Sequence, residues 1–408
     1  MSTRRARRFW KIMAQENKPK ILIFCDFYLP GYKSGGGMRT LVNMVDRLGE
    51  KFDFWIVTRD HDGKTDKTQY KNVKINDWNE VGNARVYYLS KDNIKLKSVK
   101  KLIEEVKPKS IYANSFFSTF TVFILWLKKF RKIPNLKIIV APEGELAPSA
   151  LGLKKNKKQL YLKFAAALRL YENIIWKATA DFEKEEIKKV KGKGGKIFIA
   201  PNMPPKQIFP EFDLNNKPYK ISGELNAVYL SRLHPIKNLK FLLELLPNIK
   251  DKVYLDIFGP VDNHQYVKEC EELIKKLPRN LNVQMKGEIA HENVMKTLEK
   301  YNFFVLPTQG ESFGHIIAEA LASGCPLIIS DKTPWINLEE KGIGWDLPLD
   351  NKNRWLDILK YCISLDNDTY SSLAINARNY LNQWLAETKI EKATEEVLNY
   401  SLPETLKK

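Results

Sequence analysis

Residues 307–326 read PTQGESFGHIIAEALASGCP and lie between two short apolar segments, 303–306 and 327–330. Within this stretch Ile316, Ile317, Ala320 and Leu321 recur at helical spacing and can face a core. The pattern therefore predicts a strand, a loop, a helix and a second strand, which is the repeating unit of a parallel α/β fold.

Two glutamates of this stretch are placed to bind the sugars of a nucleotide sugar. Glu311 lies in the predicted loop at the mouth of the helix, and Glu319 lies about two turns deeper. Between them, backbone N–H groups of Ser312, Phe313 and Gly314 stand at the positive end of the helix, which suits a diphosphate. The alternative is that both glutamates are ordinary surface residues of a capped helix.

The whole segment resembles the retaining glycosyltransferases of family four (group 1), whose fold is called GT-B. Their signature is a Glu, seven intervening residues and a second Glu in this strand–loop–helix setting, here with an exposed aromatic residue, Phe313, beside Gly314. The resemblance implies that Glu319 holds the ribose and that Glu311 contacts the transferred sugar.

Size and composition indicate a two-domain globular protein. The chain has 408 residues with 44% hydrophobic content, enough for two full cores. The four cysteines are scattered, so they indicate neither a zinc site nor a disulfide framework. The start is basic and turns polar at once, unlike a signal peptide, and the most apolar window, 116–127, is shorter than the roughly 20 residues that span a bilayer. We expect a cytoplasmic protein, soluble or peripheral on the inner face of the membrane.

Positive charge is concentrated in the first half of the chain. Residues 1–200 carry 42 Lys and Arg against 20 Asp and Glu, whereas residues 201–408 carry 25 against 28. This asymmetry predicts an anionic partner for the first half, such as a membrane surface, a lipid diphosphate or a nucleic acid.

Short apolar runs alternate with helical patterns along the whole chain, which predicts two Rossmann-like, doubly wound α/β domains. The predicted strands are 21–25, 54–57, 85–89, 110–112, 137–140, 196–200, 227–230, 254–258, 282–285, 303–306 and 327–329. The prediction places an acceptor domain at 1–203, a Pro-rich linker at 204–224 and a donor domain at 225–380. The GT-B resemblance implies that the domains face a cleft and that a last helix within 381–408 packs back on the first domain.

Two loops after predicted strands are further candidates for donor binding. Gly36 and Gly37 open a helical pattern, where the absence of Cβ lets the backbone approach a phosphate. Arg232 and Lys237 follow the strand 227–230 and could neutralise a diphosphate leaving group without a metal. Two basic residues in a loop are often only solvated; the family resemblance implies the donor role for both pairs.

Glu143 and Glu145 follow a strand of the first domain in the segment VAPEGEL, 140–146. Many members of the resembled family carry a His near this place that contacts the donor sugar, and close relatives often have an Arg. Either Glu143 contacts the sugar here or another residue has taken that role. Glu145 either orients the acceptor hydroxyl or caps the following helix.

Residues 151–170, LGLKKNKKQLYLKFAAALRL, combine basic and apolar side chains. Such a helix can lie on an anionic membrane; the alternative is a core helix with a solvated basic face.

Two other segments resemble ligand motifs. Asp60-His61-Asp62 matches the metal motif of the GT-A fold but is explained as a polar loop, and 191–196, KGKGGK, reads as a turn between a helix and a strand.

The sequence therefore predicts a hexosyltransferase that needs no metal or other cofactor, and the family resemblance implies that it retains the configuration of the transferred sugar. It moves a sugar from a nucleotide-sugar donor to a glycan or lipid-linked acceptor, in bacterial cell-surface polysaccharide or lipopolysaccharide synthesis. The rival enzyme is a GT-B nucleotide-sugar epimerase. A nucleic-acid-binding protein is the rival from another class, but no recognition motif supports it.

Overall fold

The structure is a computed structural model that describes residues 18–32, 35–63, 68–152, 155–205, 212–386 and 389–400. The chain divides into two compact units. The first unit comprises Met1–Lys206 and Lys389–Lys408, and the second comprises Gln207–Thr388.

The first unit is built on an eight-stranded sheet in the order β3-β4-β2-β1-β5-β6-β7-β8. All neighbours are parallel except β3, which pairs antiparallel with β4. The strands are β1 (Lys20–Phe24), β2 (Asp53–Arg59), β3 (Trp78–Val81), β4 (Ala84–Leu89), β5 (Ser110–Asn114), β6 (Lys137–Ala141), β7 (Ile175–Ala178) and β8 (Lys196–Ile199).

The helices of the first unit follow its strands and cover the apolar sheet. They are α1 (Gly36–Leu48), α2 (Leu96–Val106), α3 (Thr119–Lys129), α4 (Pro148–Gly152), α5 (Lys155–Ala167), α6 (Asp181–Val190) and, from the end of the chain, α13 (Lys389–Asn399). Helix α13 buries Val397 and Leu398 in the core of this unit, and its Glu391 pairs with Arg47 of α1 at 2.7 Å.

The second unit has a wholly parallel six-stranded sheet in the order β11-β10-β9-β12-β13-β14. Numbered within the unit, this is the doubly wound order 3-2-1-4-5-6. Its strands are β9 (Glu224–Leu230), β10 (Lys252–Phe258), β11 (Leu281–Gly287), β12 (Phe303–Leu306), β13 (Leu327–Ser330) and β14 (Gly344–Leu347). Its helices are α7 (Leu239–Leu245), α8 (His264–Lys275), α9 (Val294–Leu298), α10 (His315–Ala322), α11 (Lys352–Ser364) and α12 (Asn367–Ala386).

The predicted strands all form, and the prediction missed β3, β7 and β14. β3 reads WNEV and is polar, so its apolar signal is weak.

The two motif-like segments also have local explanations. Asp60, His61 and Asp62 are nearly buried, and Asp60 accepts hydrogen bonds from Gln69 and pairs with His61 Nδ1 at 2.9 Å. Residues 191–195 of the segment 191–196 form the turn between α6 and β8, and Lys196 is the first residue of β8.

Within the residues that the structure describes, no helix combines the length and apolarity needed to cross a bilayer.

Candidate active site

The candidate donor site lies at the carboxyl ends of β9 and β12, the central neighbours of the second sheet. The strand order reverses direction between these two strands. In open parallel sheets, ligands bind in the crevice that this reversal leaves open beyond the strand ends. The loop after β9 carries Arg232 and Lys237, and the loop after β12 carries Glu311, so the topology brings the predicted residues to one edge.

Lys237 and Glu311 form an ion pair across this reversal point. Their side chains are only 12% and 11% exposed. Lys237 ends a short 3-10 turn, Pro235–Lys237, and the backbone of Ile236 in that turn accepts a 2.7 Å hydrogen bond from the N–H of Gln309. The two loops are therefore joined by both backbone and side chains, which holds an acid and a base together at the strand ends.

Arg232 stands on the same loop and pairs with Asp262, which follows β10, at 2.6 Å. The Arg232 side chain is 39% exposed, so the guanidinium remains open to a ligand. Sequence reasoning missed Asp262. The sequence carries little signal for Asp262, because no sequence pattern links a single Asp in a loop after a strand to an Arg about 30 residues away.

The tip of α10 presents open backbone donors. In the described chain the N–H groups of Ser312, Phe313 and Gly314 donate to no protein acceptor. Gly314 is the N-cap residue with φ 78°, and a Cβ there would lie 2.7 Å from the side chain of Ile317. Only glycine fits this conformation comfortably, so the loop keeps its N–H groups directed towards the helix mouth.

Phe313 is not the exposed aromatic residue that the sequence predicts; that prediction is wrong. Its side chain is 5% exposed and packs against Trp335 and Trp384. Both tryptophans follow the site in sequence and are brought in by the fold, so the local pattern gave no signal for them. Phe313 therefore anchors the loop, and its contribution to a ligand is limited to its backbone.

Glu319 lies one turn inside α10 and is 7% exposed. One carboxylate oxygen is 3.8 Å from Nδ1 of His291, whose side chain is 43% exposed. His291 belongs to a short turn before α9 and is a second residue that the sequence analysis missed. A buried carboxylate beside a half-exposed imidazole can accept hydrogen bonds from a diol that reaches the helix from outside.

The predicted residues of the first unit lie at the carboxyl edge of its own sheet. Gly36 and Gly37 begin α1, and a Cβ added at Gly37 would come within 3.9 Å of Nδ2 of Asn114 at the end of β5. Oδ1 of Asn114 is buried and meets no hydrogen-bond donor among the described residues. β1 and β5 are neighbours at the reversal point of this sheet, so the glycines open onto a polar side chain there.

Glu143 is held in a buried network. Lys177 of β7 lies 3.2 Å from its Oε1, and Asn202 donates to its Oε2 at 2.6 Å. The side chain of Glu143 is 8% exposed and that of Lys177 is 2% exposed. Glu143 also has φ 52°, a left-handed conformation that costs free energy in a non-glycine residue. Both carboxylate oxygens are thus already engaged by protein groups.

Two further glutamates brace the neighbouring loops. Glu145 accepts hydrogen bonds from the N–H groups of Phe116 and Phe117, so it supports the loop after β5 instead of capping the helix that follows it. Glu183 accepts from the N–H groups of Gly144 and Thr179. Burial raises the pKa of both carboxyl groups above their ordinary range.

Residues 212–379, nearly all of the second unit, match the family model described as glycosyl transferases group 1. No curated protein matches the chain.

Several solved structures share the fold over almost the whole chain. A sucrose-phosphate synthase from Thermosynechococcus elongatus has a TM-score of 0.68 and 17% identity, covering 93% of this chain and 98% of that one. HepE from Anabaena, solved with UDP and glucose, has a TM-score of 0.66 and 18% identity over 93% and 99%. WaaG, a glycosyltransferase involved in lipopolysaccharide biosynthesis, has a TM-score of 0.66 and 12% identity over 93% and 100%.

The predicted fold class and the predicted enzyme class are confirmed. The two parallel-sheet α/β domains have the GT-B fold, and the match of residues 212–379 to the group 1 model supports the glycosyltransferase class. These residues form a group 1 glycosyltransferase domain that contains Arg232, Lys237, Glu311 and Glu319.

Proposed function

We propose that this enzyme transfers a sugar from a nucleotide-sugar donor to a glycan or lipid-linked acceptor, with retention of configuration and without a divalent metal. One observation carries the proposal. The ion pair of Lys237 with Glu311 bridges the reversal point of the second sheet, directly beside the open N–H groups that begin α10.

The leaving diphosphate is the group that needs stabilisation in this reaction, because negative charge develops on it as the sugar bond breaks. Arg232 and Lys237 supply two cations, and the tip of α10 supplies preorganised N–H donors. A diphosphate that reaches Lys237 competes with Glu311 for the ammonium group. Glu311 is then released to accept a hydrogen bond from a hydroxyl of the transferred sugar, while Glu319 accepts those of the ribose.

The acceptor is assigned to the first unit. The excess of basic residues in the first half of the chain favours an anionic acceptor or an acceptor at an anionic surface. Support for the class of donor and pathway comes from proteins of the same fold: HepE is solved with UDP-glucose, and WaaG acts in lipopolysaccharide biosynthesis. We infer a bacterial cell-surface polysaccharide or lipopolysaccharide pathway, on the cytoplasmic side of the membrane.

The test is a thermal-shift and hydrolysis screen of the purified enzyme against a panel of nucleotide sugars, with EDTA present. We expect at least one donor to stabilise the protein and to be hydrolysed slowly, and the transferred sugar to keep its anomeric configuration by NMR. Loss of donor binding in EDTA would contradict the metal-independent mechanism. Conversion of the donor to an isomeric nucleotide sugar, with no acceptor present, would instead identify an epimerase.

A further inference from the structure

Two neighbouring helices of the first unit expose a cluster of large apolar side chains. Phe130, at the end of α3, is 50% exposed, and Leu160 and Phe164 of α5 are 71% and 47% exposed. Trp126 lies between them: its ring centroid is 5.0 Å from that of Phe130 and 6.1 Å from that of Phe164, with planes within 30° in both cases. Leu160 and Phe164 are one helical turn apart and share a side of α5. We call this cluster the α3/α5 face.

Exposed basic side chains border this face. Neither α3 nor α5 contains an acidic residue. Six exposed cations lie on the two helices or directly after α3, and within the described residues they form no ion pair; they are Lys129, Arg131, Lys132, Lys155, Lys157 and Lys163. On α6, by contrast, Lys188 pairs with Glu185 at 2.6 Å.

Helix α5 packs only partly on the core of the first unit, through Tyr161 and Leu162, and leaves Leu160 and Phe164 exposed. A core helix buries its apolar stripe, but Ala165 is the only fully buried residue of α5 among those described. Exposure of the Phe130 and Phe164 rings and of Leu160 to water is unfavourable, and an exposed apolar patch of this kind marks an interaction surface. The combination of apolar and basic side chains is favourable at a membrane interface, where apolar side chains enter the acyl boundary and cations meet anionic headgroups.

We propose that the α3/α5 face docks the enzyme onto an anionic lipid bilayer. Docking would hold the first unit at the surface that carries a lipid-linked acceptor, and this role rests on the proposed function. A bilayer accounts for both halves of the observation, since a nucleic acid would use the cations but would leave Leu160 without an apolar partner.

The experiment is co-sedimentation of the full chain with vesicles of phosphatidylcholine containing phosphatidylglycerol, compared with pure phosphatidylcholine vesicles. We expect binding to the anionic vesicles that weakens as salt is raised. The double variant Lys157→Glu, Lys163→Glu should lose at least about tenfold in affinity, since each basic residue near the surface contributes roughly a factor of five. The double variant Phe130→Ser, Phe164→Ser should also bind more weakly, through loss of insertion.

A matched control is the double variant Lys71→Glu, Lys74→Glu. These exposed lysines precede β3, the edge strand at the other end of the sheet from β8, and should leave vesicle affinity unchanged. Thermal unfolding and nucleotide-sugar hydrolysis without vesicles show that each variant is folded, and they test the proposed function separately. The proposal is overturned if the wild type binds both vesicle types equally or neither, if the control loses as much as the α5 variant, or if duplex DNA displaces the protein from vesicles through the same residues.

Discussion

The indole nitrogen of Trp335 donates a 2.6 Å hydrogen bond to the backbone carbonyl of Phe313. Trp335 also packs on the ring of Trp384, which itself packs on Phe313. The three rings and this hydrogen bond fix the backbone of the loop that presents the N–H groups at the tip of α10. Trp335 is therefore placed to act as a positioning residue for the proposed donor site.

Replacing Trp335 by Phe should weaken nucleotide-sugar binding as well as stability. The variant keeps an aromatic ring but loses the donor, which leaves the Phe313 carbonyl unsatisfied and costs about 1 to 3 kcal/mol of stability. We expect donor affinity to fall by a factor of about five, corresponding to about 1 kcal/mol, because the loop N–H groups lose their fixed positions. Isothermal titration and denaturant unfolding measure the two effects.

Trp355→Phe is the matched control, since the indole of Trp355 donates to the carbonyl of Pro348 at 3.1 Å in the same unit, outside the loop. It should lose stability and keep donor affinity. Equal losses of affinity in both variants would show that Trp335 has only a structural role.

The sequence was sufficient for the order of elements around this loop but not for its packing. Strand, loop and helix are local patterns, so 303–326 could be predicted from apolar spacing and from the glycine at position 314. The exposure of Phe313 depends on Trp335 and Trp384, which only the tertiary fold brings to it. Local periodicity cannot report such contacts, and this is why that prediction was wrong.

The two site glutamates should differ in the step that they affect. Glu319→Gln removes the charge that we propose accepts the ribose hydroxyls, so it should raise KM and the dissociation constant by about tenfold while changing kcat little. Glu311→Gln removes the partner of Lys237 and the contact to the transferred sugar. It should lower kcat by about tenfold to a hundredfold with a smaller change in binding.

Steady-state kinetics and direct donor binding separate these outcomes. Glu339→Gln is a suitable control, because Glu339 forms an exposed pair with Arg354 at 2.7 Å and should leave both parameters unchanged. If Glu311→Gln and Glu319→Gln both retain wild-type kinetics, the proposed donor site is wrong.

The buried pair of Glu143 and Lys177 should be strongly coupled in stability. Lys177→Met leaves a carboxylate without its cation in a buried setting, which should cost about 3 to 5 kcal/mol in the free energy of unfolding. Adding Glu143→Gln removes the orphaned charge and should restore a large part of that loss. Denaturant unfolding of the two single variants and the double variant gives the coupling; additive effects would contradict the ion pair seen here.

Buried lysines attach residues 212–224 of the predicted linker, 204–224, to the second unit. Lys220 is 1% exposed, and its ammonium group lies within hydrogen-bond distance of four backbone carbonyls of the second unit, those of Ile221, Glu224, Ile363 and Leu365. Lys217 is likewise buried and lies 3.2 Å from the sulfur of Cys325. Prolines and weak periodicity mark an irregular segment, but they do not report that its lysines are anchored in a domain.

Stability should depend on pH through Glu186 of α6. Burial, and then the neighbouring Glu183 carboxylate, raise the pKa of Glu186 from 4.5 to about 7. Between these values the folded protein binds more protons than the unfolded chain, so the free energy of unfolding falls as pH rises from about 4.5 to about 7. Its Oε2 is buried with no hydrogen-bond partner among the described residues, which agrees with a folded state that favours the neutral form.

Glu186→Gln should therefore flatten this part of the stability profile by about one proton and make the protein more stable than the wild type above pH 7. Glu183 and Glu145 keep their own raised pKa values, so a residual slope should remain. Glu185→Gln is the control: that carboxylate is exposed and paired with Lys188, which lowers its pKa, so the slope between pH 4.5 and 7 should persist. Denaturant unfolding across this range decides the matter, because an unchanged slope in Glu186→Gln would mean that Glu186 is ionised in the folded protein throughout.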